Sequence, residues 1–194
     1  QKVSATAGVP LIGPIAGAAP LRGKAATTTY AVRASASSEV ACLLNFASTT
    51  GLSNVSVLVQ DDGFGKSYAA ELDKAAANFP GLKITRSALK PASPDYGKSV
   101  AELVAGSPKV LLLLADSAHS TQFLDAWKAK SSLPFVPNLA GQANGQFASG
   151  MKGYDGAAAF ATVTPSPWET KIDAQREYQR IAKSAGMAPS YLGF

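Results

Sequence analysis

Apolar and polar positions along this chain follow two periods in turn. Val9–Ile12, Thr28–Ala34, Val55–Val59, Leu82–Leu89, Val110–Leu114, Phe135–Leu139 and Ala157–Thr164 are short apolar runs of strand length. Between most of them the spacing widens to the helical stripe. Val40, Leu43, Leu44 and Ala47 fall on one helical face, as do Tyr68, Ala69, Leu72, Ala75, Ala76 and Phe79 in a helix over Lys66–Phe79. Val100, Leu103 and Val104 mark a third helix, and Phe123, Leu124 and Trp127 a fourth. Punctuation agrees with these spans. Serines 35, 37 and 38 offer an N-cap with Glu39 in the first turn, Gly51 closes that helix, and Ser93-Pro94 reads as an N-cap and first helical residue. Val110–Leu114 is apolar throughout, as expected of a parallel strand buried on both faces. Strands alternating with helices predict βαβ units, and hence an α/β fold: a three-layer αβα, Rossmann-like lobe on a parallel, doubly wound sheet.

Two regions stand outside this regular unit. The first 34 residues supply two strands with no helix to cover them, so the chain is expected to open almost directly on a strand. After Pro165-Ser-Pro167, a plausible hinge, Glu169–Ala185 is strongly helical, with Ile172, Tyr178, Ile181 and Ala182 on one side and Gly186 as its C-cap. The predicted organisation is therefore residues 1–34 as partial strands and crossover of one lobe, 35–164 as a complete α/β lobe, and 165–194 as a return segment. The abrupt start suggests a mature or truncated chain.

Composition narrows the function classes. Of 194 residues, 46% are hydrophobic and 16% charged, which suits a packed core. The net charge of +5 is scattered, without the basic cluster that nucleic-acid binding requires. The longest apolar stretch, Val110–Ala115, is far short of a membrane span, and there is no signal-peptide pattern. Cys42, the one cysteine, is expected to be a small buried hydrophobe, and His119, the one histidine, an exposed residue at a helix start.

The segment with most chemical content is Val55-Ser-Val-Leu-Val-Gln-Asp-Asp-Gly-Phe-Gly-Lys-Ser67. Its glycine-lysine-serine end imitates a phosphate-binding loop, but such a loop needs glycine where Gln60 stands, and Asp61 and Asp62 would repel phosphate. Read as a receiver domain, Asp61, Asp62 and Asp116 could hold a divalent cation, yet Ala140, Gly141 and Gln142 lack the hydroxyl and lysine that chemistry uses. The favoured reading of the paired aspartates is a polar turn capping the next helix. No nucleophile, base and orienter assemble, so neither a catalytic residue nor a metal site or cofactor is assigned.

The order of motifs resembles the type I periplasmic solute-binding proteins of ABC importers, in the leucine/isoleucine/valine-binding group. The matching pieces are Val9-Pro-Leu-Ile-Gly-Pro14 with its small-residue loop, Tyr30-Ala-Val-Arg33, the strand and loop Val55–Gly65, Val110–Leu114 with the Ala115–Ala118 turn, and Gly153–Thr164 with Pro167. The resemblance implies two lobes with a solute trapped between them, no enzyme activity, a periplasmic or extracellular location and an ABC permease as membrane partner. It also implies roles for cleft residues. Ala16, Gly17 and Ala18 would lend backbone N–H groups to a ligand carboxylate. Phe64 would lie against the ligand body, or else plug the turn beneath it. Ser117 and Ala118 would line the next cleft loop. Leu139 and Gly141 fall where amino-acid binders carry an acid for the ligand's ammonium, and here no acid stands there. The ligand implied is a small carboxylate or amino-acid-like solute, with an acid lacking an amine as the sharper expectation. A sensor domain of the same fold is one alternative, and a nucleotide-binding α/β protein the other.

Overall fold

The computed structural model describes residues 2–14, 17–23, 26–139, 142, 158–161 and 168–189. Its helices are α1 Lys2–Ala7, α2 Ala36–Thr49, α3 Gly63–Ala76, α4 Tyr96–Val104, α5 Ser117–Lys128 and α6 Asp173–Ser184. Its strands are β1 Leu11–Ile12, β2 Thr29–Tyr30, β3 Asn54–Gln60, β4 Lys83–Leu89, β5 Val110–Leu114, β6 Val136–Leu139 and β7 Ala158–Ala161, with a 3-10 turn at Ala19–Leu21.

Strand β3 pairs in parallel with β4 on one side and with β5 on the other. A parallel bridge between Val110 and Phe135 carries the order on to β6, which pairs in parallel with β7. The spatial order β4-β3-β5-β6-β7 is that of a doubly wound sheet. The chain leaves β3 through α3 to reach β4, then crosses back over β3 through α4 to reach β5. The winding therefore reverses between β3 and β5, and a crevice opens at the carboxyl ends of those two strands.

Side-chain alternation along β5 builds both faces. Val110, Leu112 and Leu114 join Val55 and Val57 under Val40, Leu43, Leu44, Tyr68 and Leu72 of α2 and α3. Leu111 and Leu113 join Leu58 and Val136 under Val100, Leu103, Phe123, Leu124 and Trp127 of α4 and α5. Each fully buried aliphatic side chain contributes roughly 1.5–3 kcal/mol, so these two layers hold the sheet.

Helix ends explain most differences from the sequence expectation. The Ser35 side chain caps α2 as expected, accepting the Ser38 N–H at 3.0 Å, and Gly51 closes it at φ 72°. Helix α3 starts at Gly63 rather than Lys66, because Asp62 is its N-cap and accepts the Gly65 N–H at 3.0 Å. The expected cap Ser93-Pro94 is displaced by Asp95, whose carboxylate accepts the Lys98 N–H at 2.9 Å. The chain does not open on a strand: α1 precedes β1, and β1 and β2 shrink to two residues each, paired among the described residues only with one another. Cys42 is exposed, not buried, because it lies off the stripe of Val40, Leu43, Leu44 and Ala47. Helix α6 begins at Asp173 and buries Gln175 and Ala182, leaving Ile172 and Ile181 exposed. Gly186, at φ 69°, closes it through Met187 N–H to Ala182 C=O at 2.9 Å. The expected hinge Pro165–Pro167 lies outside the described residues.

Candidate functional site at the carboxyl edge of the sheet

A strand that ends in Gln60 must turn sharply to start α3 at Gly63. A Cβ on Gly65 would lie 2.0 Å from the Gln60 carbonyl oxygen, so only glycine allows helix and strand to meet so closely. The turn holds Phe64 half-buried, its ring centroid 4.9 Å from that of Tyr68 and its side chain packed against the α2–α3 core. Phe64 therefore plugs the turn, as one of the two sequence expectations has it, while part of its ring stays accessible.

Each acid of this edge is already engaged. Asp61 Oδ1 lies 2.7 Å from Lys66 Nζ, and the contact holds the Asp61 carboxyl below its usual range while raising the Lys66 ammonium. Asp62 accepts the Gly65 N–H through Oδ1 and the Gln60 side-chain amide through Oδ2 at 2.7 Å. The lysine that imitates a phosphate-binding loop is therefore bound to an aspartate of the same loop, and the start of α3 is capped by a carboxylate. That geometry opposes a bound phosphate.

The β5 turn is built likewise. Asp116 caps α5, accepting the His119 N–H at 2.9 Å and contacting the His119 Nδ1 at 2.9 Å. His119 Nε2 lies 3.3 Å from the Pro91 carbonyl oxygen, so the ring bridges the turns after β4 and β5 and is not merely exposed. Burial raises the Asp116 pKa, but the His119 N–H, the His119 ring and a Gln60 contact outweigh it and leave the carboxyl below its usual value. Ser117 is the first residue of α5, half-buried, and Ala118 is exposed beside it.

The remaining site residues divide. Gly17 is buried where a Cβ would meet the Ala34 carbonyl oxygen at 2.7 Å and the Ala36 nitrogen at 2.8 Å. Its carbonyl accepts the Ala36 N–H at 2.8 Å, which docks the Gly17-Ala18 loop on the start of α2. The Leu139 side chain is buried in the core, and its N–H goes to Gln142 Oε1 at 2.9 Å, so its side chain does not face the crevice. Ala16 and Gly141 lie outside the described residues. The structure joins the Phe64 and Ser117 turns through Gln60, and sets the Gly17 backbone beside the Tyr68 hydroxyl.

Sequence reasoning missed Gln60, Gln142 and Glu39 as structural contributors. Gln60 carried one signal, a polar residue closing an otherwise apolar strand. Glu39 is 4% exposed and accepts the Tyr68 hydroxyl at 2.8 Å, a role invisible in its position near a helix start. A separate cavity of about 460 Å³ lies among Val104, Lys109, Trp127, Ser131, Leu133 and Pro134. It opens at the amino ends of β5 and β6, the end of a doubly wound sheet away from its ligand crevice. Among the described residues no three potential metal ligands converge, and no helix is long and apolar enough to cross a membrane.

Comparison with known proteins places this arrangement. A family model described as Periplasmic binding protein matches residues 1–193. No curated protein matches the chain. Among solved structures, a substrate-binding periplasmic protein from Ralstonia solanacearum superposes with a TM-score of 0.78 at 21% identity, over 98% of this chain and 55% of that one. A leucine binding protein from Thermotoga maritima gives 0.80 at 11% identity, over 99% and 55%. A branched chain amino acid ABC transporter from Thermus thermophilus with bound valine gives 0.76 at 14% identity, over 98% and 50%. The chain spans about half the length of these structures. It belongs to the periplasmic binding protein family and has the type I fold of that family.

Proposed function

We propose that this chain contributes one α/β lobe, residues 35–164, to an extracytoplasmic solute-binding protein of an ABC-type importer. Residues 1–34 and 165–194 are then pieces of the opposing lobe. The solute is gripped between lobes by the turns after β3, β5 and β6 and by the Ala16-Gly17-Ala18 loop, and is handed to a membrane permease. Family membership and the crevice at the β3/β5 reversal support this reading.

The solute proposed is a small carboxylate without an α-ammonium group. One observation carries this choice. The acids after the carboxyl ends of β3, β4 and β5 already hold donors of the chain itself: Asp61 the Lys66 ammonium, Asp62 the Gly65 N–H and Gln60 amide, Asp95 the Lys98 N–H, Asp116 the His119 N–H and ring. A buried ammonium needs a partner of its own, and its absence costs several kcal/mol, of order 3–5. Phe64 supplies an apolar wall for the solute's body.

The test is a thermal-shift comparison on the full-length protein with matched pairs: valine against isovalerate, and phenylalanine against 3-phenylpropanoate, with ATP–Mg²⁺ as a control. A ligand that binds only the folded state raises the melting temperature by mass action. The expected result is a rise with an amine-free acid that exceeds its amino-acid twin. A rise with the amino acids alone would overturn the solute class. A rise with ATP–Mg²⁺ alone would overturn the transport reading and restore the nucleotide-binding alternative.

A further inference from the structure

Two buried glutamines stand at the carboxyl edge with every side-chain polar atom engaged. Gln60, 4% exposed, donates from Nε2 to Asp62 Oδ2 at 2.7 Å and accepts the Asp116 N–H through Oε1 at 3.0 Å. Gln142, 3% exposed, donates from Nε2 to the Leu113 carbonyl at 3.0 Å, the Ala115 carbonyl at 2.8 Å and Ser120 Oγ at 3.2 Å. Its Oε1 accepts the Leu139 N–H at 2.9 Å. One amide thus ties the β3 turn to the β5 turn, and the other ties the β5 turn to the end of β6. With His119 reaching Pro91 after β4, four strand ends are joined through residues 113–120.

A buried amide that lacked these partners would cost about 1–3 kcal/mol. The arrangement therefore tolerates little change in the spacing of the turns. An apolar side chain of equal length would fill the same space and would leave the turns free to drift.

We infer that Gln60 and Gln142 are positioning residues for solute binding: two amide clips that fix the spacing of the three ligand-facing turns before the solute arrives. The inference rests on the solute-binding reading above. Fixed spacing lowers the ordering cost at capture, so the clips act on affinity through the Phe64, Ser117 and Leu139 turns and touch no solute themselves.

Gln60→Met and Gln142→Met, in the full-length protein, separate this role from general stability. Site-resolved hydrogen exchange should show the Asp116 amide in Gln60→Met, and the Leu139 amide in Gln142→Met, exchanging about tenfold faster than in the parent, with Val57 and Leu112 unchanged. Isovalerate and 3-phenylpropanoate are the binding probes. Each variant should weaken the better of the two by about tenfold, while the ligand-free melting temperature falls only by the few degrees that the freed backbone partners cost. If a methionine variant does not fold, the asparagine variants, which retain polarity but fall short of their partners, give the same readouts.

Unchanged exchange at Asp116 and Leu139 overturns the proposal, as does unchanged affinity in variants whose amides have been freed. A uniform rise in exchange across β3 and β5, matched by a fall in melting temperature, also overturns it, since the glutamines would then serve the fold alone. Failure of the parent to bind either probe counts against the solute reading and removes the affinity half of the proposal. The exchange result still decides whether the clips exist.

Discussion

The Tyr68 hydroxyl donates to Glu39 Oε2 at 2.8 Å, and both side chains are buried between α2 and α3. Burial first, and then the Glu39 charge and hydrogen bond, push the Tyr68 pKa well above its ordinary value. The folded state thus holds the phenolic proton more tightly than the unfolded chain. The stability this confers is full below pH ~10, the unfolded pKa, and is lost as pH rises past it toward the raised folded value. Tyr68→Phe should cost about 1–3 kcal/mol at neutral pH, because the buried Glu39 carboxylate loses a donor. It should also flatten the alkaline limb of the stability curve. Urea melts at neutral pH and above pH ~10 check both points; equal alkaline slopes in parent and variant would show that Tyr68 does not titrate in this way.

Asp116 sets the acid limb in the opposite sense. Its folded pKa lies below the ordinary 3.8, so its contribution is present above that pH and is lost as pH falls through the folded value. Asp116→Asn keeps an acceptor for the His119 N–H but gives up the carboxylate–imidazole contact. With the carboxylate about half exposed, the loss near pH 6 should be under about 1 kcal/mol, and the decline below pH ~4 should become shallower. Asp116→Ala removes the cap as well and should cost about 1 kcal/mol more. Denaturant midpoints across the acid range would reveal an unchanged slope if the pair contributes nothing.

Glycines at the β3–α3 turn differ sharply in what they tolerate. At Gly65 a Cβ would meet the Gln60 carbonyl oxygen at 2.0 Å and the Gln60 carbon and nitrogen at 2.8 Å, all of them backbone atoms that cannot step aside. Gly65→Ala should therefore destabilise by roughly 3 kcal/mol or more. Gly63→Ala has open space around it, and should be neutral or stabilising by up to about 1 kcal/mol. Thermal melts of the two variants side by side make the contrast; similar losses at both positions would refute the close approach.

How much of this was legible in the sequence follows from how local each interaction is. The all-apolar Val110–Leu114 announced a strand covered on both faces, and it is buried at every position. The Ser35 cap and the stripe through Ala47 depend on neighbours within a helical turn, and they hold. The starts of α3 and α4 moved because several polar residues compete for each cap, and the winner depends on where the preceding strand stops. Gln60 and Asp116 are 56 positions apart, and Gln142 reaches back 29 positions to Leu113. Such pairings have no period and no local signature. They arise only once the sheet order brings the turns together. Of the expected site, the Phe64 and Ser117 turns were readable as strand ends, whereas the amides that join them were not.

Apolar exposure is unevenly spread over the described residues. Val9, Ile12, Val32, Trp168, Ile172 and Ile181 are all exposed, and all lie in the segments assigned above to the opposing lobe. In residues 35–139 the large apolar side chains are buried or half-buried, apart from Phe46 at 38% exposure, which meets Phe135 at a centroid distance of 5.2 Å. If a further part of the protein covers the first set, Ile181→Gln should behave differently in two contexts. In this 194-residue chain it replaces a side chain that is 49% exposed, and it should shift stability by less than about 0.5 kcal/mol while improving solubility. In the full-length protein the same change would bury an amide at an apolar contact and should cost about 1–3 kcal/mol. Denaturant melts of the variant in both lengths decide the matter. A cost equally small in both would mean that this face of α6 stays open to solvent in the complete molecule, and that residues 165–194 do not return into a second lobe.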